Sequence, residues 1–206
     1  FDDIRNVLER SSARETAMRV GLGSICRKLL EEVGIQVGSR VIQIHKIKDD
    51  SEIPNNMSPN DLNEIVDKSP VRCLDKNIEK EMVKVIDECK SKGDSVGGIF
   101  EVIATGMPYG LGSYTQWNKK LNSRISESIL SINAFKGLEI GMGFEQANEF
   151  GSNVHDEIGY NEGKYIRYSN NCGGIEGGMS NTEPIVIRSV MKPIPTLIKP
   201  LRSIDI

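Results

Sequence analysis

Two stretches of this sequence place anion-binding residue types close together. The first runs from Asn170 to Pro200 and opens NNCGGIEGGMSN, with Gly173, Gly174, Gly177 and Gly178 inside six residues. Glycine has no Cβ, so its backbone can approach a ligand closely and take positive φ. Consecutive free N–H groups in such a loop can form an anion-holding concavity. A β-branched run and the tail MKPIPTLIKP follow. Pro193, Pro195 and Pro200 remove donors and fix φ, which makes the tail extended and stiff. Lys192, Lys199 and Arg202 set positive charge along it. This combination suits a planar ligand that carries phosphate. The alternative is a glycine-rich surface loop with solvated lysines.

The second stretch is RSSARETAMR at 10–19. Ser12 and Glu15 read as a capping box, with Ser12 as the N-cap of a helix that Gly34 ends. The free N–H groups and dipole of a helix N-terminus bind phosphate. Arg10, Ser11, Ser12, Arg14 and Arg19 cluster around that start, and arginine adds charge-assisted hydrogen bonds. An ordinary cap with surface arginines is the alternative.

Other candidates weigh less. Asn133 stands at a helix-to-strand junction, where its amide offers a donor and an acceptor to a ligand's polar edge; simple helix termination accounts for it equally. His45 reads as a strand residue with a wet or hydrogen-bonded ring, and His155 lies in a polar stretch. GDSVGG at 93–98 looks like a serine-protease nucleophile run, but Val96 stands where that motif has glycine. No histidine has a recognisable general-base context. Cys26, Cys73, Cys89 and Cys172 form no CxxC pair and read as reduced thiols, so no metal site is expected.

These residues need elements to hold them. Met18, Leu22, Ile25 and Leu29 recur at helical spacing, beside a stripe of small residues, Ala13, Ala17, Gly21 and Ser24, which permits close approach of another backbone. Residues 35–48 read as a strand, 60–69 as a short helix and 75–91 as an amphipathic helix. A strand entered through Gly97 and Gly98 spans 96–105. Trp117, Leu121, Ile125 and Ile129 mark a helix of about four turns. Strands follow at 135–140 and 185–190, and residues 145–169 read as irregular. The order suggests an α+β fold with largely antiparallel sheets.

The 206 residues allow one large domain or two small ones. The chain starts at Phe1, ends at Ile206 in a strand-like run, and is read as a piece of a longer protein. A net charge of −3 argues against nucleic acid as a partner. Charge is uneven: residues 49–91 hold eleven acids and six bases, while 184–206 hold four bases against Asp205 alone. A local cationic end on an acidic chain fits a small anionic ligand. No apolar run is long enough to span a membrane and no secretory signal pattern is present, so a cytoplasmic location is expected.

Four runs together resemble one family, chorismate synthase: RSSARETAMRV at 10–20, GDSVGG at 93–98, SINAFKGLEIGMGF at 131–144, and NNCGGIEGGMSNTEP through MKPIPTLIKP at 170–200. The resemblance implies an α+β fold with helices sandwiched between antiparallel β-sheets, of which residues 1–206 form the central portion of a larger single domain. It implies 1,4-anti elimination of phosphate from 5-enolpyruvylshikimate 3-phosphate to give chorismate. It implies a requirement for reduced FMN without net redox change, with NADPH and an external flavin reductase both open as its source. A homotetramer is implied as well. By motif, flavin contacts fall on Arg10, Ser11, Ser12, Asn133, Ala134, Gly177, Lys192, Pro193, Ile194, Pro195 and Thr196, and substrate binding on Arg14. The family's acid–base histidines lie in motifs upstream of Phe1, so no catalytic residue is assigned to this chain. A non-catalytic flavin- or phosphate-binding fragment that keeps oligomer contacts is the alternative.

Overall fold

The structure is a computed structural model that describes residues 3–202 and 204. It opens with helices α1 (Ile4–Ser11) and α2 (Ala13–Glu32). Asp3 caps α1 by accepting from Arg5 N. The sequence reading missed α1, whose cap sits at the edge of the chain and whose apolar residues have no long period. Ser12 caps α2 as expected, but it accepts from Arg14 N at 3.3 Å rather than closing a box with Glu15. The Glu15 carboxylate turns instead to Arg19 Nε at 2.6 Å. Gly34 ends the helix at φ +82°.

Strands β1 (Gln36–Ile44) and β2 (Ile47–Lys48) follow. The run expected as one strand is folded back at His45, which has φ +54°. His45 therefore sits exposed in a tight turn, not on a strand. Helices α3 (Pro59–Val66) and α4 (Lys76–Ser91) come next, then β3 (Gly98–Thr105). The helix expected from Trp117 begins later, as α5 (Leu121–Leu130). Extended backbone at Lys120 separates it from a short 3₁₀ turn, Trp117–Lys119, and Trp117 is left exposed. β4 (Phe135–Ile140) resumes the sheet.

Residues 145–169 are not irregular. They carry the end of a 3₁₀ segment, Gly143–Asn148, then α6 (Gly151–Val154) and a hairpin of β5 (Ile158–Asn161) and β6 (Lys164–Arg167). The glycine cluster forms a second hairpin, β7 (Ile175–Glu176) and β8 (Met179–Ser180), before β9 (Ile185–Met191). The strand-like run noted at Ile206 lies outside the described residues, as does Asp205.

One five-stranded sheet, in the order β2-β1-β3-β9-β4, joins these elements, and every pairing is antiparallel. On one face Ala104, Ile185 and Ile187 are buried against Leu121, Ile125 and Ile129 of α5. On the other face α3 packs on β1: a Cβ at Gly38 would lie 2.6 Å from Pro59 O. Asn63 of α3 then closes the β1 edge like a strand, giving Nδ2 to Val37 O at 2.9 Å and accepting Ser39 N at 3.2 Å. A charged row, Arg40–Glu101–Arg188–Glu139, crosses the middle of that face in register. Like charges never stand opposite each other in it, which favours this register over a slipped one.

α2 stands out because none of its 20 residues is buried. Met18, Leu22, Ile25 and Leu29 are each more than 60% exposed. The small-residue stripe meets no neighbour at Gly21, where a Cβ would touch nothing within 4 Å. No helix among the described residues is long and apolar enough to cross a membrane.

Candidate functional site

Three of the segments singled out in the sequence converge at one end of the sheet. The junction between α5 and β4 is the meeting point. Asn133 Nδ2 donates to the carbonyl oxygen of Ser12 at 3.3 Å and to that of Arg10 at 3.4 Å. This ties the α1–α2 corner to the junction. Next to it, Ala134 has φ +73°, an uncommon conformation for a residue with a Cβ. Its carbonyl accepts from Lys192 N at 3.0 Å, which ties in the start of the tail. Backbone strain of this kind persists only where surrounding contacts over-determine it.

The corner carries Arg10, Arg14 and the N-terminus of α2, and the tail adds Lys192. This is the electrostatic pattern of a phosphate site. The Ser11 hydroxyl turns back to its own helix and donates to Val7 O at 2.9 Å. Arg10 and Arg14 are exposed.

The GDSVGG run is the dock for the tail. Ser95 Oγ donates to Ile194 O at 2.6 Å, and Gly93 O accepts from Ile198 N at 3.1 Å and Lys199 N at 2.9 Å. A Cβ at Gly97 would lie 2.5 Å from Met191 O and 3.0 Å from Pro193 Cδ, so only glycine lets the tail pass here. The Ser95 hydroxyl is thus a clamp on the tail rather than a nucleophile. Behind the tail, a cavity of about 700 Å³ is lined by Ile86, Phe100, Phe135, Ile194, Thr196 and Ile198, among others. Pro195 is exposed. Ile194 and Thr196 are the expected contact residues that face this cavity, and Arg10, Ser12, Asn133, Ala134 and Lys192 lie outside its lining.

Gly177 is not brought into this cluster. Its hairpin is held at the other end of α5, where Leu121 N donates to Gly178 O at 2.8 Å. The ten residues of α5 separate the two places by about 15 Å of helix. Gly177 has φ +59°, and a Cβ there would meet nothing within 4 Å. Its glycine is required by backbone conformation, and its outer side is open.

The loop that presents the hairpin is held by Asp156. Its carboxylate accepts from Ser169 Oγ at 2.5 Å, Asn171 N at 2.7 Å and Cys172 N at 2.9 Å. Burial works to raise its pKa, but the hydrogen bonds from Ser169, Cys172 and Asn171 outweigh it and hold the group below its ordinary value. Burial and the Asp156 carboxylate push the Cys172 thiol up to about 11. Asp156, Cys172 and Glu176 come within metal-ligating distance of one another. A protonated thiol and an Arg167–Glu176 ion pair oppose cation binding there.

His45 follows β1, with β3 standing between it and β9, and His155 is the exposed C-cap residue of α6. His45 N donates to Gly97 O at 3.1 Å, and Gly97 passes against Met191 O and Pro193, so His45 stands at the same end of the sheet as the start of the tail, one strand away. His155 N donates only to Gly151 O of its own helix, at 3.0 Å. The sequence reading missed Ser131, whose Oγ accepts from Arg19 Nη1 at 2.6 Å. A signal was present, since α5 has no basic residue in its last turn to satisfy its C-terminal end.

Known proteins share this sequence and fold. The model of the family described as Chorismate synthase matches residues 1–206. The chain is 54% identical over 205 residues to Chorismate synthase 2 of Bacillus cereus (strain ATCC 14579), covering 99% of this chain and 52% of that protein. Chorismate synthase of Bacillus subtilis (strain 168) is similar to the same extent. A solved structure described as Crystal Structure of Chorismate Synthase superposes with a TM-score of 0.86 at 49% identity, covering 94% of this chain and 60% of that one. The chain spans about half the length of the curated relatives it matches. With its mixed helices and antiparallel sheet in the matching arrangement, it belongs to the chorismate synthase family.

Proposed function

We propose that this chain supplies the flavin cradle of a lyase that eliminates phosphate from 5-enolpyruvylshikimate 3-phosphate, in the 1,4-anti sense, to give chorismate. The observation that carries the proposal is the Asn133–Ala134 junction, which binds the α1–α2 corner on one side and Lys192 on the other. The residues fit reduced FMN in their chemistry. The helix N-terminus after Ser12, with Arg10 and Lys192, matches a phosphate, and Asn133 Oδ1 remains for a polar ring edge because its Nδ2 is used internally. Pro193 to Thr196 form a stiff edge that loses little entropy on contact with a flat ligand. Arg14 projects from the first turn of α2 toward solvent, where it can meet an anionic substrate group.

Reduced FMN, when bound, would lend electron density to the substrate transiently and help remove the C6 hydrogen. The chain's own part is to hold that group and its phosphate. Assembly into a tetramer and supply of reduced flavin through NADPH or an external reductase belong to the same proposal. So does a cytoplasmic location.

A binding fragment without turnover is the second reading. It is favoured by the unburied α2. One experiment separates the two. Residues 1–206 and the protein at its relatives' full length are assayed anaerobically with dithionite-reduced FMN, following chorismate absorbance and free phosphate. General acid–base groups typically contribute about 10²–10⁴-fold each. The full-length protein should therefore turn over without consuming flavin, and the 206-residue chain should show no detectable product. An inactive full-length protein would reject the lyase reading. Turnover by the shorter chain would return catalysis to residues described here, beginning with His45 and His155.

A further inference from the structure

Packing within this chain does not fix where the first turns of α2 lie, because no α2 side chain is buried. Polar contacts do. Arg19 sends Nε to Glu15 Oε1 and Nη1 to Ser131 Oγ, both at 2.6 Å. Ser131 is the C-cap residue of α5, and its hydroxyl donates in turn to Ser128 O at 2.8 Å. The C-terminal end of a helix carries partial negative charge. α5 has no basic residue in its own last turn, so Arg19 brings a cation to that end from another helix. A planar guanidinium can serve both partners at a fixed angle, which an ammonium cannot. Two residues further on, Asn133 makes its own bonds to the corner that Arg19 braces. The corner and the junction are thus held by two separate ties.

We infer that Arg19 is a positioning residue for the flavin cradle. It holds the α1–α2 corner in register with Asn133 and Ala134 through Ser131, without itself touching the ligand. The inference rests on the flavin reading given above. A purely structural brace would stabilise the fold and leave ligand affinity alone.

The test uses the full-length protein as wild type, Arg19→Ala, Arg19→Lys, Ser131→Ala and the Arg19→Ala/Ser131→Ala double variant. FMN affinity is read by fluorescence titration and global stability by thermal melting. Amide exchange of residues 10–15 and 131–134 is measured without flavin. Loss of a charge-assisted contact should weaken FMN binding about tenfold in Arg19→Ala and speed exchange at the corner, with a melting shift of only a few degrees. Arg19→Lys should recover part of the affinity. Ser131→Ala should weaken binding in the same direction, and the double variant should be no worse than Arg19→Ala, because both changes remove one contact. Unchanged FMN affinity with a lowered melting temperature would overturn the inference, and so would fully additive losses. Failure of the wild type to bind FMN would reject the flavin reading and the cradle role together. Corner exchange would then still show whether the brace itself exists.

Discussion

Asn133 donates its side-chain amide to the main-chain oxygen of Ser12, 121 residues earlier in the chain, at 3.3 Å. The direction of this bond decides what substitution does. Asn133→Ala removes a donor and should cost about 1 kcal/mol of stability. Asn133→Asp keeps the shape but points a carboxylate at two carbonyl oxygens. It should destabilise more than Asn133→Ala and weaken FMN binding further. Chemical denaturation and flavin titration of both variants check the order.

Ala134 should be improvable in stability and intolerant of bulk. Its positive φ costs an L-residue roughly 1–2 kcal/mol. Ala134→Gly removes that cost but adds unfolded-state entropy, and should stabilise by up to about 1 kcal/mol. Ala134→Val places a β-branched side chain in the same conformation and should destabilise. Denaturant midpoints report both. A destabilising Ala134→Gly would mean that the Ala134 Cβ makes contacts that outweigh the strain.

Gly177 separates conformation from contact. No atom lies within 4 Å of a Cβ there, so Gly177→Ala should cost about 1 kcal/mol through φ alone. Gly177→Val should cost more, so some loss of stability accompanies it even with no ligand involved. If the hairpin meets the flavin, FMN affinity should fall well beyond the stability loss. Affinity that stays at the wild-type value would remove Gly177 from the site and agree with its position at the far end of α5.

Asp156 should govern acid stability of the glycine loop. Its folded pKa is depressed, so its contribution is fully present above the unfolded value of about 3.9. It is lost as pH falls through the lower folded value, because the unfolded state then binds more protons. Asp156→Asn should flatten that acid limb. At pH 7 it should cost about 2 kcal/mol, since an amide nitrogen cannot accept from the Cys172 or Asn171 N–H. Melts between pH 2 and 7 measure both effects.

The sequence by itself determined whatever depends on short-range geometry. Ser12 as a cap, Gly34 as a stop and the helix at 76–91 were legible because capping and helical period act within a few residues. The positive φ of Gly173, Gly174, Gly177 and Gly178 followed from the absence of a Cβ. The motifs also carried the family. Tertiary structure decided the rest. Glu15 pairs with Arg19 instead of closing a box, and the same guanidinium reaches Ser131, more than a hundred residues away, a contact that local sequence does not show. The run 35–48 turns back at His45, where it pairs with itself, and β3 pairs with the rest of it. The hairpin at 158–167 escaped notice because its strands are four residues long and mixed in polarity. Above all, proximity in the motif list was not proximity in space. Lys192 reaches Ala134 because β9 and β4 are adjacent antiparallel strands, so the end of one lies beside the start of the other. Gly177 lies apart because α5 stands between its hairpin and that junction, and helix length rather than residue type sets that separation.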